Sequence, residues 1–143
     1  MAADTGHGLL LLANRELTVL DGEKSRSGGL ITYDYRQQRA GLLQIHDGLP
    51  SNDLTAVATD GKVAWVGGRG FVAVVDVQRR QVLRIAFVSA SQIQGIQLGQ
   101  NYAWIAISSG GEDSYPEYSG KACTGVYRID RSAIEPLVIS SNP

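Results

Sequence analysis

The chain has 143 residues, of which 43% are hydrophobic and 19% charged, so it can bury one core and is not a disordered tail. Its 13 Lys and Arg nearly balance its 14 Asp and Glu, and this near-neutral charge argues against a nucleic-acid partner. A single cysteine, Cys123, excludes an internal disulfide framework.

Short apolar runs alternate with turn signals along the whole chain, and none of them has the periodicity of a helix. The predicted strands, in chain order, are residues 9–13, 30–35, 41–46, 54–59, 63–67, 71–75, 81–88, 93–98, 102–108, 126–129 and 137–140. The strongest turn signal is Asp60-Gly61, which predicts a hairpin between the strands on either side of it. The sequence therefore predicts an all-β chain of antiparallel strands.

A repeat underlies these strands. When residues 54–68 are shifted by 39 positions they lie on residues 93–107 without a gap, and Ala64-Trp65-Val66 falls on Ala103-Trp104-Ile105. An aspartate closes a strand in each of three units: Asp34, Asp76 and Asp130. A four-stranded unit that recurs about every 40 residues is typical of a β-propeller blade.

The predicted architecture is one β-propeller segment over residues 1–143. Its blades cover about 7–46, which supplies only three strands, then 47–88 and 89–140. Runs such as Phe71–Val75 are continuously apolar, as expected for strands that neighbouring blades cover on both faces. The alternative is a β-sandwich or a small barrel, which explains the strand count but not the repeat.

Residues 47–68 resemble the propeller repeat of two-component-regulator sensors. The turn Gly48-Leu49-Pro50-Ser51-Asn52-Asp53 leads into a strand, and Val63-Ala64-Trp65-Val66-Gly67 follows as the next strand. The second copy keeps only Ala103-Trp104-Ile105-Ala106. The resemblance implies a sensor or binding propeller outside the cytoplasm, although similar blades occur in proteins of other roles. No leader is recognisable, because the apolar run 9–12 is too short and lacks a preceding Lys or Arg.

Two full blades and three strands cannot close a ring, since propellers need about four to eight blades. End blades alone would leave large apolar faces in water. We therefore expect a protein partner: other copies of the chain, or further segments, that complete the propeller. No apolar run reaches the roughly 18 residues of a membrane span, so none is predicted.

Blade topology predicts that the two long insertions, 14–29 and 109–125, project from the same end as the connection 46–53. Sites on rigid scaffolds are carried by such loops. The candidate partner or ligand contacts are Arg15, Lys24, Arg26, His46, Glu112, Asp113, Tyr115, Glu117, Tyr118 and Lys121. Alternative interpretations of 109–125 are a solvated acidic loop or a calcium site, although its carboxylates lack the alternating spacing of a calcium loop.

Other chemistry-bearing residues have a structural explanation. His46 could act as an acid or base, but a lone histidine that ends a strand is more often structural. Trp65 and Trp104 occupy equivalent repeat positions, which predicts that both pack in the core. Gly67-Gly68-Arg69-Gly70 lacks the following helix of a phosphate loop and is predicted to be a tight strand connection.

The favoured function is a non-catalytic propeller segment for protein recognition or assembly, within a larger sensor-like or multisubunit protein. No catalytic, cofactor or metal site is predicted. One alternative is a propeller face that senses a ligand or a carbohydrate through the two insertions. Another is part of an enzyme whose site is completed by other blades.

Overall fold

The computed structural model describes residues 1–15, 28–108 and 125–132. In these ranges the chain is built from antiparallel β-strands, with no α-helix and one short 3-10 turn at Ile45–Asp47. The strands are β1 (Ala2–Asp4), β2 (Leu9–Asn14), β3 (Gly29–Asp34), β4 (Arg39–Leu43), β5 (Leu54–Thr59), β6 (Ala64–Asp76), β7 (Gln81–Leu98), β8 (Tyr102–Ser108) and β9 (Gly125–Asp130). The predicted all-β class is confirmed. The predicted strand 137–140 lies outside the described residues.

The first sheet has four strands in the order β1-β2-β3-β4. The sequence predicts only three strands here, and the additional strand is β1, which pairs Ala2 with Leu11 and Asp4 with Leu9. Three residues are too few for an apolar pattern to be recognised. The strand is fixed instead by its turn, in which the Asp4 carboxylate accepts a hydrogen bond from the His7 backbone N–H, 3.2 Å away.

The second sheet has five strands in the order β5-β6-β7-β8-β9. Its β5–β6 hairpin turns at Asp60-Gly61 as predicted, with Gly61 at a φ of 90°. The predicted strands 63–67 and 71–75 are joined in β6, and 81–88 and 93–98 are joined in β7. The first part of β6 pairs with β5, whereas its remainder, beyond Gly68, pairs with β7. Gly70, at this change of partner, has a φ of 82°.

Each of the repeated aspartates accepts hydrogen bonds from backbone N–H groups two or three residues further on, in the turn that follows its strand. Oδ1 of Asp34 accepts hydrogen bonds from the N–H groups of Arg36 and Gln37, each at 2.9 Å. The carboxylate of Asp76 accepts one from the Arg79 N–H, and that of Asp130 accepts one from the Ser132 N–H. The prediction that the three aspartates are turn residues is confirmed.

Two hydrophobic clusters lie on opposite sides of β5 and β6. The first cluster joins the first sheet to β5 and β6 and contains Leu9, Leu11, Leu30, Leu43, Leu49, Leu54, Val57, Ala64, Val66, Phe71, Ala73, Val75 and Val82. The second joins the other side of β5 and β6 to β7 and β8 and contains Ala56, Trp65, Val72, Val74, Ile93, Ala103, Ile105 and Ile107. β5 and β6, here called the middle layer, are therefore covered on both faces: by the first sheet, or first layer, on one side, and on the other by the second part of β7 with β8, which together with β9 are called the last layer. This confirms the prediction made from the continuous apolar run Phe71–Val75.

The two tryptophans differ although they occupy equivalent positions. Trp65 is 2% exposed in the second cluster, whereas Trp104 is 44% exposed. The prediction that both pack in the core is right for Trp65 and wrong for Trp104. The reason is the position of each in the stack, since Trp65 is covered by β7 and β8, while Trp104 points away from both clusters on the last layer.

Candidate functional site

The described flanks of the first insertion lie beside the connection that leads into β5. Arg15 donates from Nε and Nη2 to the Asp53 carboxylate, at 3.1 and 3.3 Å. The Gly29 N–H donates to the Asn52 carbonyl at 2.6 Å, and the Gln44 side-chain amide donates to the Gly28 carbonyl at 3.0 Å. These hydrogen bonds fix the position of the connection 44–53 relative to the first sheet.

Arg15 is the candidate contact whose partner is clearest. The hydrogen bond and the charge of Asp53 raise the pKa of the Arg15 guanidinium. Its side chain is largely exposed, and an exposed pair of this kind contributes little to stability, about 0–1 kcal/mol. Arg15 can thus rotate toward a partner at a small energetic cost, while Asp53 stays within the connection.

His46 lies in the 3-10 turn rather than at the end of a strand. Its Nε2 is 3.4 Å from Oδ2 of Asp47, and its ring is exposed. The same carboxylate oxygen accepts a hydrogen bond from the Gln44 N–H at 2.9 Å and lies 3.8 Å from Nη2 of Arg80. Asp47 therefore serves the turn, and His46 is a surface residue beside it.

The other predicted contacts lie outside the described residues. They are Lys24, Arg26, Glu112, Asp113, Tyr115, Glu117, Tyr118 and Lys121. Among the residues that are described, no group of three or more His, Cys, Asp or Glu side chains could hold a metal ion. Within the same ranges, no helix has the length and hydropathy needed to traverse a bilayer.

A cleft that the sequence interpretation missed lies between the β1–β2 turn and the β5–β6 turn. It has a volume of about 450 Å³ and is lined by residues 3–7 and 59–62. Within it, Oδ2 of the buried Asp4 lies 2.7 Å from Nδ1 of His7. The signal that could have revealed this pair is the Asp-x-x-His spacing of Asp4 and His7 across a four-residue turn.

On the other side of the cleft, Asp60 links two distant parts of the chain. Its Oδ1 accepts hydrogen bonds from the N–H groups of Lys62 and Val63, at 2.8 and 3.0 Å, and its Oδ2 accepts one from the Arg131 guanidinium. Burial raises the pKa of Asp60, but the hydrogen bonds and the charge of Arg131 outweigh it, so the net pKa is lowered. Arg131 also donates to the Gly99 carbonyl at 2.7 Å.

We expect Asp60→Asn to lower the free energy of unfolding by about 1–2 kcal/mol at pH 7, because it removes charge-assisted hydrogen bonds at the β5–β6 turn. A carboxylate whose pKa is lower in the folded chain stabilises the fold above its unfolded pKa, which is about 3.9. That contribution is lost as the pH falls through the folded pKa. Denaturant unfolding of both proteins between pH 7 and pH 3 should therefore show converging stabilities below about pH 4.

Arg131→Ala is the paired variant for this measurement. If the Arg131 contact is part of the effect, the double variant loses less stability than the sum of the two single losses. A difference between wild type and Asp60→Asn that stays constant down to pH 3 would contradict the assigned role of the carboxylate.

Two outer sheet faces carry apolar side chains that lie outside both clusters. The N-terminal face is the outward side of the first sheet and consists of Leu10, Leu12, Ile31, Tyr33 and Leu42. The C-terminal face is the outward side of the last layer and contains Gly95, Tyr102, Trp104, Ala106 and Val126, together with the polar residues Gln97 and Arg128. Tyr33 and Leu42 are 36% and 38% exposed, and Val126 is 70% exposed. On the C-terminal face, the Arg128 guanidinium lies 4.5 Å from the centre of the Tyr102 ring.

Comparison with known proteins bears on the fold. No protein-family model matches the chain, and no curated protein matches it. Among solved structures, the chain is similar to a chain of Kuenenia stuttgartiensis hydrazine synthase, with a TM-score of 0.56 and 22% sequence identity. The similarity covers 76% of this chain but spans only 28% of that chain. At this identity the likeness concerns the path of the backbone alone.

Proposed function

We propose that the chain is a non-catalytic segment of a β-propeller that works in protein recognition or assembly, as part of a larger or multisubunit protein. The observation that carries this proposal is the pair of apolar outer faces. Inside the chain, faces of the same composition are buried against a neighbouring layer. Exposed aromatic and aliphatic patches on sheets mark interaction surfaces.

The arrangement of the middle layer supports the propeller assignment. β5 pairs with residues 64–68, and residues 71–76 pair with the start of β7. In a propeller blade, a reversal at Gly68–Gly70 would set 64–68 beside 71–76, so that four antiparallel segments follow in order. Two facts agree with such a hairpin: Gly70 has a positive φ, and Val66 and Ala73 face the same cluster.

The resemblance of residues 47–68 to two-component-regulator propellers supports the same assignment and favours a sensor-like parent protein. In this proposal, the Gly48–Asp53 turn is the connection between successive blades. Two hydrogen bonds fix how the connection is placed beside the first sheet: Asn52 in the turn accepts from the Gly29 N–H, and Gln44, just before it, donates to the Gly28 carbonyl.

The proposal is tested by the accessibility of Trp104. The chain has two tryptophans, and Trp65 is buried, so quenching of fluorescence by acrylamide reports mainly on Trp104. The difference between wild type and Trp104→Phe isolates its signal. We expect Trp104 to be strongly quenched in dilute monomer and to be protected when the chain assembles. Protection of Trp104 already in the monomer would count against an assembly role, because the C-terminal face would then be covered within one chain.

A further inference from the structure

Each layer has a preceding side, which faces the layer before it in the chain, and a following side, which faces the layer after it. The repeat shows which residues lie on each side. Trp65 and Val72 lie on the side of the middle layer that faces the following layer, in the second cluster. Val72 lies four residues before Asp76, as Val126 lies four residues before Asp130. Trp104 is the repeat equivalent of Trp65. The C-terminal face is therefore the following side of the last layer.

The N-terminal face is the opposite kind of side. Ala73 and Val75 of the middle layer face the preceding layer, in the first cluster. They stand three residues and one residue before Asp76, and Ile31 and Tyr33 have the same spacing to Asp34. Ile31 and Tyr33 are thus the repeat equivalents of Ala73 and Val75, whose side chains pack against the following side of the first layer. The N-terminal face is therefore the preceding side of the first layer.

We propose that a second copy of this chain docks its N-terminal face on the C-terminal face of the first, head to tail. The inference rests on the proposed assembly role. The packing between layers already joins a following side to a preceding side at both of the clusters. A copy added in the same sense repeats that contact, with Ile31 and Tyr33 placed over Trp104 and Val126.

The composition of the two faces fits this occupant. The N-terminal face is apolar, so it carries no cation that would repel the Arg128 guanidinium on the C-terminal face. Arg128 itself is held over Tyr102. The net charge of −1 gives little repulsion between copies. Such a contact joins two different faces of the chain. Repeated addition of copies closes a ring if the rotation between neighbouring copies permits it, and otherwise builds an open filament.

Two variants test the proposal, each of which introduces a charge into one face: Tyr33→Asp in the N-terminal face and Trp104→Asp in the C-terminal face. Both side chains are exposed in the monomer, so the changes leave the core in place. Sedimentation velocity should show the wild type associating with rising concentration and each variant remaining at the 15.3 kDa of one chain. An equimolar mixture should form a complex of about twice that mass, because one intact face of each kind remains.

Other outcomes overturn the head-to-tail contact. Association of Trp104→Asp alone would indicate contact between two N-terminal faces, and association of Tyr33→Asp alone would indicate contact between two C-terminal faces. Failure of the mixture to pair, or a wild type that stays monomeric, would also exclude it. A monomeric wild type in which acrylamide still reaches Trp104 would leave the assembly role standing with a different protein partner.

If either aspartate variant fails to fold, as judged by circular dichroism, Tyr33→Ser and Trp104→Ser replace the pair. They remove the aromatic contact without introducing a charge. The expected pattern of separate monomers and a mixed complex is the same, with the contrast measured as at least about a tenfold change in the dissociation constant. That contrast corresponds to about 1.4 kcal/mol.

Discussion

Trp65→Ala is expected to lower the free energy of unfolding by about 3–5 kcal/mol, the usual cost of removing a large aromatic side chain from a core. Trp65 is 2% exposed and packs between the middle and last layers with Ile93 and Ile105. Its loss leaves a cavity that strands fixed by hydrogen bonds on both sides cannot readily fill. Urea unfolding at a concentration where the chain is monomeric measures the effect.

The matched control is Trp104→Ala, the same substitution at the equivalent repeat position. Because Trp104 is 44% exposed and faces away from both clusters, we expect it to cost less than about 1 kcal/mol in the monomer. Equal losses at the two sites would mean that Trp104 is also covered within one chain, which would contradict the description of the C-terminal face as an interaction surface.

Trp65→Phe separates the role of the ring from that of its N–H group. The indole Nε1 of Trp65 is buried and has no hydrogen-bond partner among the residues that the structure describes. A buried donor without a partner carries a desolvation penalty, and phenylalanine removes the donor while keeping most of the apolar volume. Trp65→Phe should therefore retain most of the stability that Trp65→Ala loses.

Local sequence was sufficient to locate the β-forming segments of the middle layer, although it did not show that 63–67 and 71–75 are joined in β6. Alternation was absent in Phe71–Val75, and this absence correctly indicated burial on both faces. Asp60-Gly61 correctly indicated a hairpin, because the turn requires a positive φ that glycine supplies, here 90° at Gly61. In both cases the determinant lies within a few residues of the feature that it specifies.

Features that depend on distant neighbours were not predictable in this way. Trp65 and Trp104 lie in the matching segments Ala64-Trp65-Val66 and Ala103-Trp104-Ile105, and the presence of a following layer separates the core residue from the surface residue. The cleft has the same cause, since it depends on the first turn of the chain lying beside the turn at Asp60. The pairing of Arg131 with Asp60 joins residues 71 positions apart, beyond the reach of any motif.

Gly29→Ala is expected to destabilise the fold by at least about 2 kcal/mol, because two independent costs coincide at this residue. Its φ is 105°, where a residue with a Cβ is strained by about 1–3 kcal/mol. A Cβ there would lie 2.4 Å from the Leu43 carbonyl oxygen, which is backbone and cannot move aside as a side chain can. Displacement of β3 would also weaken the hydrogen bond from the Gly29 N–H to the Asn52 carbonyl, which helps to position the connection into β5.

Gly95→Ala is the control that isolates these causes. Gly95 also lies in a strand, but apart from its own chain neighbours no heavy atom of the described residues lies within 4 Å of the position that its Cβ would occupy, and its φ is not in the positive range. Alanine there restricts the unfolded chain and should be neutral or stabilise the fold by up to about 1 kcal/mol. Thermal unfolding of both variants at low concentration should give shifts of opposite sign, or a loss confined to Gly29→Ala. A similar loss of stability in both variants would contradict this explanation, because it would mean that the positive φ and the close carbonyl at Gly29 are not the cause of the loss.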